Sequence, residues 1–159
     1  MKITELYIKN FGRFSEQHFY IKDGVQVIYG ENEYGKSTLQ AFIRAMLFGM
    51  ERGRGKAAAK DDFSKYQPWE NPNYYAGVMR FRCGNRNFRL ERSFDRISKQ
   101  VSLVCEDDGE ELSVEHGDLD ILLGGITPGM YDNTVSIGQF QQTGTGTGGK
   151  SEKLCGKLL

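Results

Sequence analysis

Residues Val25 to Phe48 read VQVIYGENEYGKSTLQAFIRAMLF, and this stretch decides the fold. Its centre, Gly30-Glu31-Asn32-Glu33-Tyr34-Gly35-Lys36-Ser37, fits the phosphate-loop pattern G-x-x-x-x-G-K-[ST]. Ahead of it, Val25 to Tyr29 is a short, apolar, β-branched run that suits a buried strand. Behind it, Leu39, Phe42, Ile43, Met46 and Leu47 recur at helical spacing, with Gln40 and Arg44 off that face. Strand, glycine loop and helix is the order that phosphate binding needs. Gly30 and Gly35 let the backbone wrap close to an anion. The amides that open the helix point at it, with the helix dipole behind them. In that frame Lys36 reaches the β- and γ-phosphates and the Ser37 hydroxyl holds Mg²⁺. A Gly-rich turn before a core helix accounts for the glycines alone, not for the agreement of strand, loop and helix.

The remaining composition narrows the class. The chain has 159 residues, the size of one ordinary domain. Its 21 Lys and Arg balance 21 Asp and Glu, so bulk charge gives no case for nucleic acid and any such contact must be local. Cys83, Cys105 and Cys155 are scattered, with no C-x-x-C spacing, which points to a reducing compartment. His18 and His116 lack metal-ligand spacing and are read as structural or surface residues. Met1 to Glu5 leads straight into a strand pattern rather than a signal peptide. No apolar run approaches the roughly 18 residues of a membrane span. The expectation is a soluble, cytoplasmic protein without a membrane partner.

In chain order, Lys2 to Lys9 and Gln17 to Ile21 read as two antiparallel strands ahead of the loop. Periodicity is lost from Gly49 to Asn73. Arg52, Arg54, Lys56 and Lys60 form a basic run there, read either as a solvated loop or as a phosphate contact. Trp69 sits in the turn region Pro68 to Pro72 and reads as a packing anchor. From Tyr74 to Glu106 the alternation predicts a meander of three antiparallel strands, with a short fourth at Glu110 to Val114. Its arginines read as a wet sheet face paired with acids such as Glu91 and Asp95. Asp118 to Leu123 predicts a short helix, broken by Gly124, Gly125, Pro128 and Gly129. Tyr131 to Phe140 is the last ordered segment, and Thr143 to Gly149 is low-complexity.

Two segments imitate other motifs. Gly144 to Ser151 also fits the phosphate-loop expression, but no apolar strand precedes it and no amphipathic helix follows. Leu103 to Asp107 imitates an apolar strand ending in catalytic acids, yet it runs into Asp-Asp-Gly, a hairpin signal. With these set aside, no acid stands ready to orient an attacking water.

The order of features resembles the SMC-type ATPases, a group that includes the chromosome SMC proteins, the SbcC-like repair ATPases, RecF, RecN and the YhaN-like proteins. Lys2 to Phe14 is similar to their opening strand ending in Asn-Phe. Gly30 to Thr38 matches their extended loop, including Asn32 and Thr38, which the generic pattern does not require. Ser136-Ile137-Gly138-Gln139 resembles their Q-loop, whose glutamine holds Mg²⁺ and the attacking water. The resemblance implies an α/β P-loop NTPase half-domain: an antiparallel meander packed beside the P-loop strand and helix. It implies an N-terminal lobe over residues 1–142, with 143–159 a flexible tail. ATP and Mg²⁺ are the implied cofactors. Lys36 and Gln139 are the implied catalytic residues, and Ser37 and Gln139 the metal ligands. Gly30, Asn32, Glu33, Tyr34, Gly35, Lys36, Ser37 and Thr38 line the nucleotide, with Arg13 as an added phosphate contact.

In the group two heads sandwich ATP, each site joining one P-loop to the other head's signature. The implied partners are a C-terminal lobe of the same type or a second head, with DNA in the full assembly. Part of an ATPase is thus expected to bind Mg-ATP and barely hydrolyse it alone, with an uncovered apolar face and little DNA affinity. Two rivals stay open at this point. One is a self-sufficient P-loop kinase or GTPase using Glu106 and Asp107; the other is a non-catalytic DNA- or protein-interaction module.

Overall fold

The computed structural model describes residues 1–31, 34–50, 61–95 and 99–137. Asn32, Glu33, the basic run from Arg52 to Lys60, Gln139 and the tail 143–159 lie outside the described residues.

Strand β1, Lys2–Phe11, turns through Gly12 and Arg13 into β2, Phe14–Tyr20. The two pair antiparallel, with Leu6 opposite Phe19 and Tyr7 opposite His18. Helix α1 follows at Lys36–Phe48, then the short α2 at Asp62–Lys65. The meander is β3 (Ala76–Cys83), β4 (Arg86–Ser93), β5 (Val101–Cys105) and the two-residue β6 (Glu111–Leu112). Helices α3 (Asp118–Leu122) and α4 (Pro128–Thr134) end the described chain. One six-stranded sheet runs in the order β2-β1-β3-β4-β5-β6, and every pair is antiparallel.

Alternation along each strand sorts the residues. Leu6, Ile8, Met79, Phe81, Phe88, Leu90 and Leu103 are buried on the inner face. Helix α1 lays Leu39, Phe42 and Met46 across it, so the periodicity of α1 and that of the strands meet in one core. The contact is tight at Gly77, where an added Cβ would stand 2.3 Å from the Phe42 ring. Phe42 in turn meets Phe11 edge-on at 5.3 Å. Tyr75 fills the space between Phe11, Phe63 and Phe94 at 5.2–5.3 Å. Aromatic pairs of this kind contribute about 0.5–1.5 kcal/mol each beyond the area they bury.

The outer face carries the arginines, and carboxylates meet them. Arg80 bridges Glu5 at 2.6 Å and Glu106 at 2.9 Å, Arg86 contacts Asp108 and Glu110, and Lys9 pairs with Glu91. This is the wet sheet face that the alternation predicts. Arg92 is different. Its Nε donates to the Met46 carbonyl near the end of α1 at 3.1 Å, and burial pushes its pKa down. Asp107 accepts from the backbone and side-chain nitrogens of Asn87 at 2.6 and 3.0 Å. Those bonds hold its carboxyl below the usual range and fix it in the β5–β6 hairpin turn.

Two expectations need correcting. Val25 to Tyr29 forms no strand: Val25, Val27 and Tyr29 are 92%, 85% and 88% exposed. A parallel-type strand needs a neighbour to take its backbone groups and layers to bury its side chains. None of the six described strands pairs with this run, so its β propensity goes unused. Pro128, read as a breaker, instead opens α4 behind Thr127, whose hydroxyl accepts from the Met130 amide at 3.3 Å. At that position proline's missing N–H would have been unsatisfied anyway.

Candidate nucleotide site

The phosphate loop closes on itself before α1 begins. The Tyr34 amide donates to the Glu31 carbonyl at 3.1 Å. The Tyr34 ring lies over Gly30, where a Cβ would fall 2.6 Å from it. Gly35 is the N-cap of α1, with φ 107° in the left-handed region and no side-chain cap. A Cβ there would also fall 2.5 Å from the Phe14 ring, so conformation and space both require glycine. The first amides of this 13-residue helix are therefore left as donors for an anion.

Lys36 stands at the head of α1, exposed, and its ammonium folds back onto the loop. It donates to the Gly30 carbonyl at 2.5 Å and the Glu31 carbonyl at 2.8 Å. Ser37, also exposed, follows one residue on. The β1–β2 turn covers the other flank. A Cβ on Gly12 would lie 2.8 Å from the Thr38 methyl. Gly12 is pinned from outside: its amide donates to the Tyr66 carbonyl at 2.7 Å, and its carbonyl accepts from the Trp69 amide at 3.2 Å. Arg13, exposed, carries its guanidinium 5.9 Å from the Tyr34 ring centroid. The structure thus brings Gly30, Tyr34, Gly35, Lys36, Ser37, Thr38 and Arg13 to one rim. Asn32, Glu33 and Gln139 are outside the described residues.

Sequence reasoning missed what α1 does on its polar side. The Gln40 amide donates to the Ser136 hydroxyl at 2.7 Å. Arg44 grips Asp132 with two parallel bonds, at 2.8 and 2.9 Å. These residues and Ser37 line a cleft of about 800 Å³, closed on the far side by Lys65 and Tyr66. The sequence signal was the pair Gln40 and Arg44 one turn apart; nothing in it named their partners. Among the described residues no cluster of three His, Cys, Asp or Glu side chains is built to hold a metal by itself. An ammonium, a hydroxyl and uncapped helix amides on one rim do fit a metal that arrives with a phosphate.

A family model described as an AAA domain matches residues 5–151. The chain belongs to that family. As an AAA domain it is an ATPase-type unit. An uncharacterized YhaN protein from Bacillus subtilis is 38% identical over 80 residues, which is 50% of this chain and 7% of the relative. A DNA double-strand break repair Rad50 ATPase from Thermoplasma volcanium is 26% identical over 121 residues, 76% of this chain and 13% of the relative. The AAA domain described here thus spans a small part of either relative's length. A solved structure from work on ATP-driven dimerization and DNA-stimulated activation of SMC ATPases superposes with a TM-score of 0.52 at 19% identity. That match covers 83% of this chain and 84% of the other. The fold is that of an SMC ATPase head half-domain, of the α/β P-loop class, and the kinship read from the Asn-Phe strand and extended loop is borne out. No helix among the described residues is long and apolar enough to cross a membrane.

Proposed function

We propose that this chain is the ATP-binding N-terminal lobe of an SMC/SbcC/YhaN-like ATPase of DNA repair or chromosome maintenance, acting in the cytoplasm. Residues 1–142 form the lobe and 143–159 its tail. The observation that carries the reading is the single rim on which uncapped α1 amides, the Lys36 ammonium and the Ser37 hydroxyl meet.

Each residue has a part. Amides from Asn32 to Thr38 cradle the phosphates, with Gly30 and Gly35 permitting the close approach and Glu33 and Tyr34 lining the wall. Lys36 exchanges its two carbonyl acceptors for phosphate oxygens and neutralises their charge. Arg13 adds a phosphate contact from the β1–β2 turn. Ser37 and Gln139 hold Mg²⁺. When bound, the metal supplies charge neutralisation at the phosphates.

The lobe binds without turning over. Asp107, the acid a self-sufficient kinase or GTPase would need, is held by Asn87 in a hairpin. The exposed run Val25 to Tyr29 becomes a strand when the C-terminal lobe supplies its neighbour. A second head then completes the ATP site, and DNA joins the full assembly.

Calorimetric titration of Mg-ATP into the chain and into Lys36→Ala tests this, followed by a turnover assay on both samples. Binding that depends on Lys36, without turnover, is expected. Unchanged affinity in Lys36→Ala sinks the assignment, and turnover by the isolated chain sinks the half-site reading.

A further inference from the structure

We propose that the Gln40–Ser136 and Arg44–Asp132 contacts are a two-rung clamp that sets the register of the segment after α4 against the phosphate-loop helix, so that this segment completes the metal position at Ser37. The proposal rests on the nucleotide reading above and adds positioning residues to it.

Direction comes first. Ser37, Gln40 and Arg44 follow one another at helical neighbour spacing along one side of α1. Their partners run the opposite way: Arg44 takes Asp132, and Gln40, one turn nearer the loop, takes Ser136. The chain leaving α4 therefore travels toward the head of α1. Ile137 confirms the heading, because it shares a groove with Lys36 and Ile28. Gln139 comes two residues later in the chain.

The chemistry of the rungs fixes orientation as well as distance. The Arg44 fork meets both Asp132 oxygens, a geometry that a single contact does not impose. Both groups keep only about a third of their side chains exposed, at 35% and 33%. Helix α4 already has an apolar anchor, since Tyr131 is buried and meets Phe48 at 5.3 Å. That ring is enough to hold the helix down. The polar rungs settle where along α1 the next residues fall. Ser136 is tied twice, through its hydroxyl to Gln40 and through its amide to the Tyr131 carbonyl at 2.9 Å. Asp132 and Ser136 thus act through the segment they hold, as outer partners orient the ligands of a metal.

The test separates register from mere bracing. ATP is titrated into the chain twice, once with Mg²⁺ and once with EDTA. The same pair of titrations is run on Lys36→Ala, Asp132→Asn, Ser136→Ala and the charge swap Arg44→Asp with Asp132→Arg. The gain in affinity that Mg²⁺ brings is expected to fall about tenfold in Asp132→Asn and Ser136→Ala, the low end for outer partners of a metal. Affinity in EDTA holds, and the swap restores the Mg²⁺ gain. Ser136→Ala leaves the Arg44–Asp132 pair standing, so the test survives if Asp132→Asn unfolds. An equal fall with and without Mg²⁺ makes the clamp a brace and overturns the proposal, as does no change in either. Binding indifferent to Lys36→Ala removes the nucleotide reading itself, and the clamp with it.

Discussion

The Lys36 ammonium lies 2.5 Å from the carbonyl oxygen of Gly30, the residue that opens its own loop. The cation of the site is thus kept by the loop's own carbonyls, and binding a phosphate exchanges neutral acceptors for charged ones. Hydrogen bonds to charged groups are worth about 1.5–3 kcal/mol. Lys36→Ala is expected to weaken ATP binding roughly 10- to 100-fold by calorimetry. Its melting temperature should stay close to that of the unaltered chain, because Lys36 is exposed.

Gly77→Ala places a methyl 2.3 Å from the Phe42 ring and 3.2 Å from the Tyr7 carbonyl. Neither the sheet nor the helix has room to retreat without opening the core. The expected cost is about 1–3 kcal/mol, the range for overpacked cores. Urea unfolding should show a lower midpoint with an unchanged slope.

Glu5 gives the outer face a pH dependence. Its burial works against ionisation, but hydrogen bonds from Arg80 and His18 outweigh that and hold the carboxyl below its usual range. A depressed folded value contributes stability that is full above the ordinary pKa of about 4.3 and is lost as pH falls through the folded value. The stability gap between the native chain and Glu5→Gln should be constant near neutrality. It should close below about pH 4 in acid unfolding followed by circular dichroism.

Val27→Asp probes the exposed run before the loop. At 85% exposure, the side chain contributes nothing to the core of this chain. Its replacement should leave stability within about 0.5 kcal/mol. Sedimentation should show less self-association than in the unaltered chain, because a bare β-forming, apolar stretch pairs with copies of itself.

What the sequence showed depended on how local the signal was. The helix of residues 36–48, the β1–β2 pair and the meander rest on periodicity and turn residues, and each appears near its predicted place. Val25 to Tyr29 carried an equally strong local signal and failed, because a strand is a relationship and its partner is not among the described strands. The site divides the same way. Gly35, Lys36 and Ser37 are contiguous and were legible. The partnership of Arg44 with Asp132 spans 88 positions and has no periodicity to announce it. Arg92 was read with the wet-face arginines because alternation places it near the sheet edge of a charged run, not under the end of α1.

The pairing of β1 with β3 has a consequence for how the molecule assembles. β3 to β6 are joined neighbour to neighbour, so they can zip together over short loops. β1 reaches β3 only by closing a span that contains all of α1, with Leu6 opposite Met79. Closing so long a loop costs more entropy than any hairpin in the meander. The meander thus forms early, and the β1–β3 seam is the slow step. Phe42 finds its seat against Gly77 and Phe11 only when that seam shuts. The head of α1 therefore becomes ordered last, and competence to hold an anion marks the completion of folding.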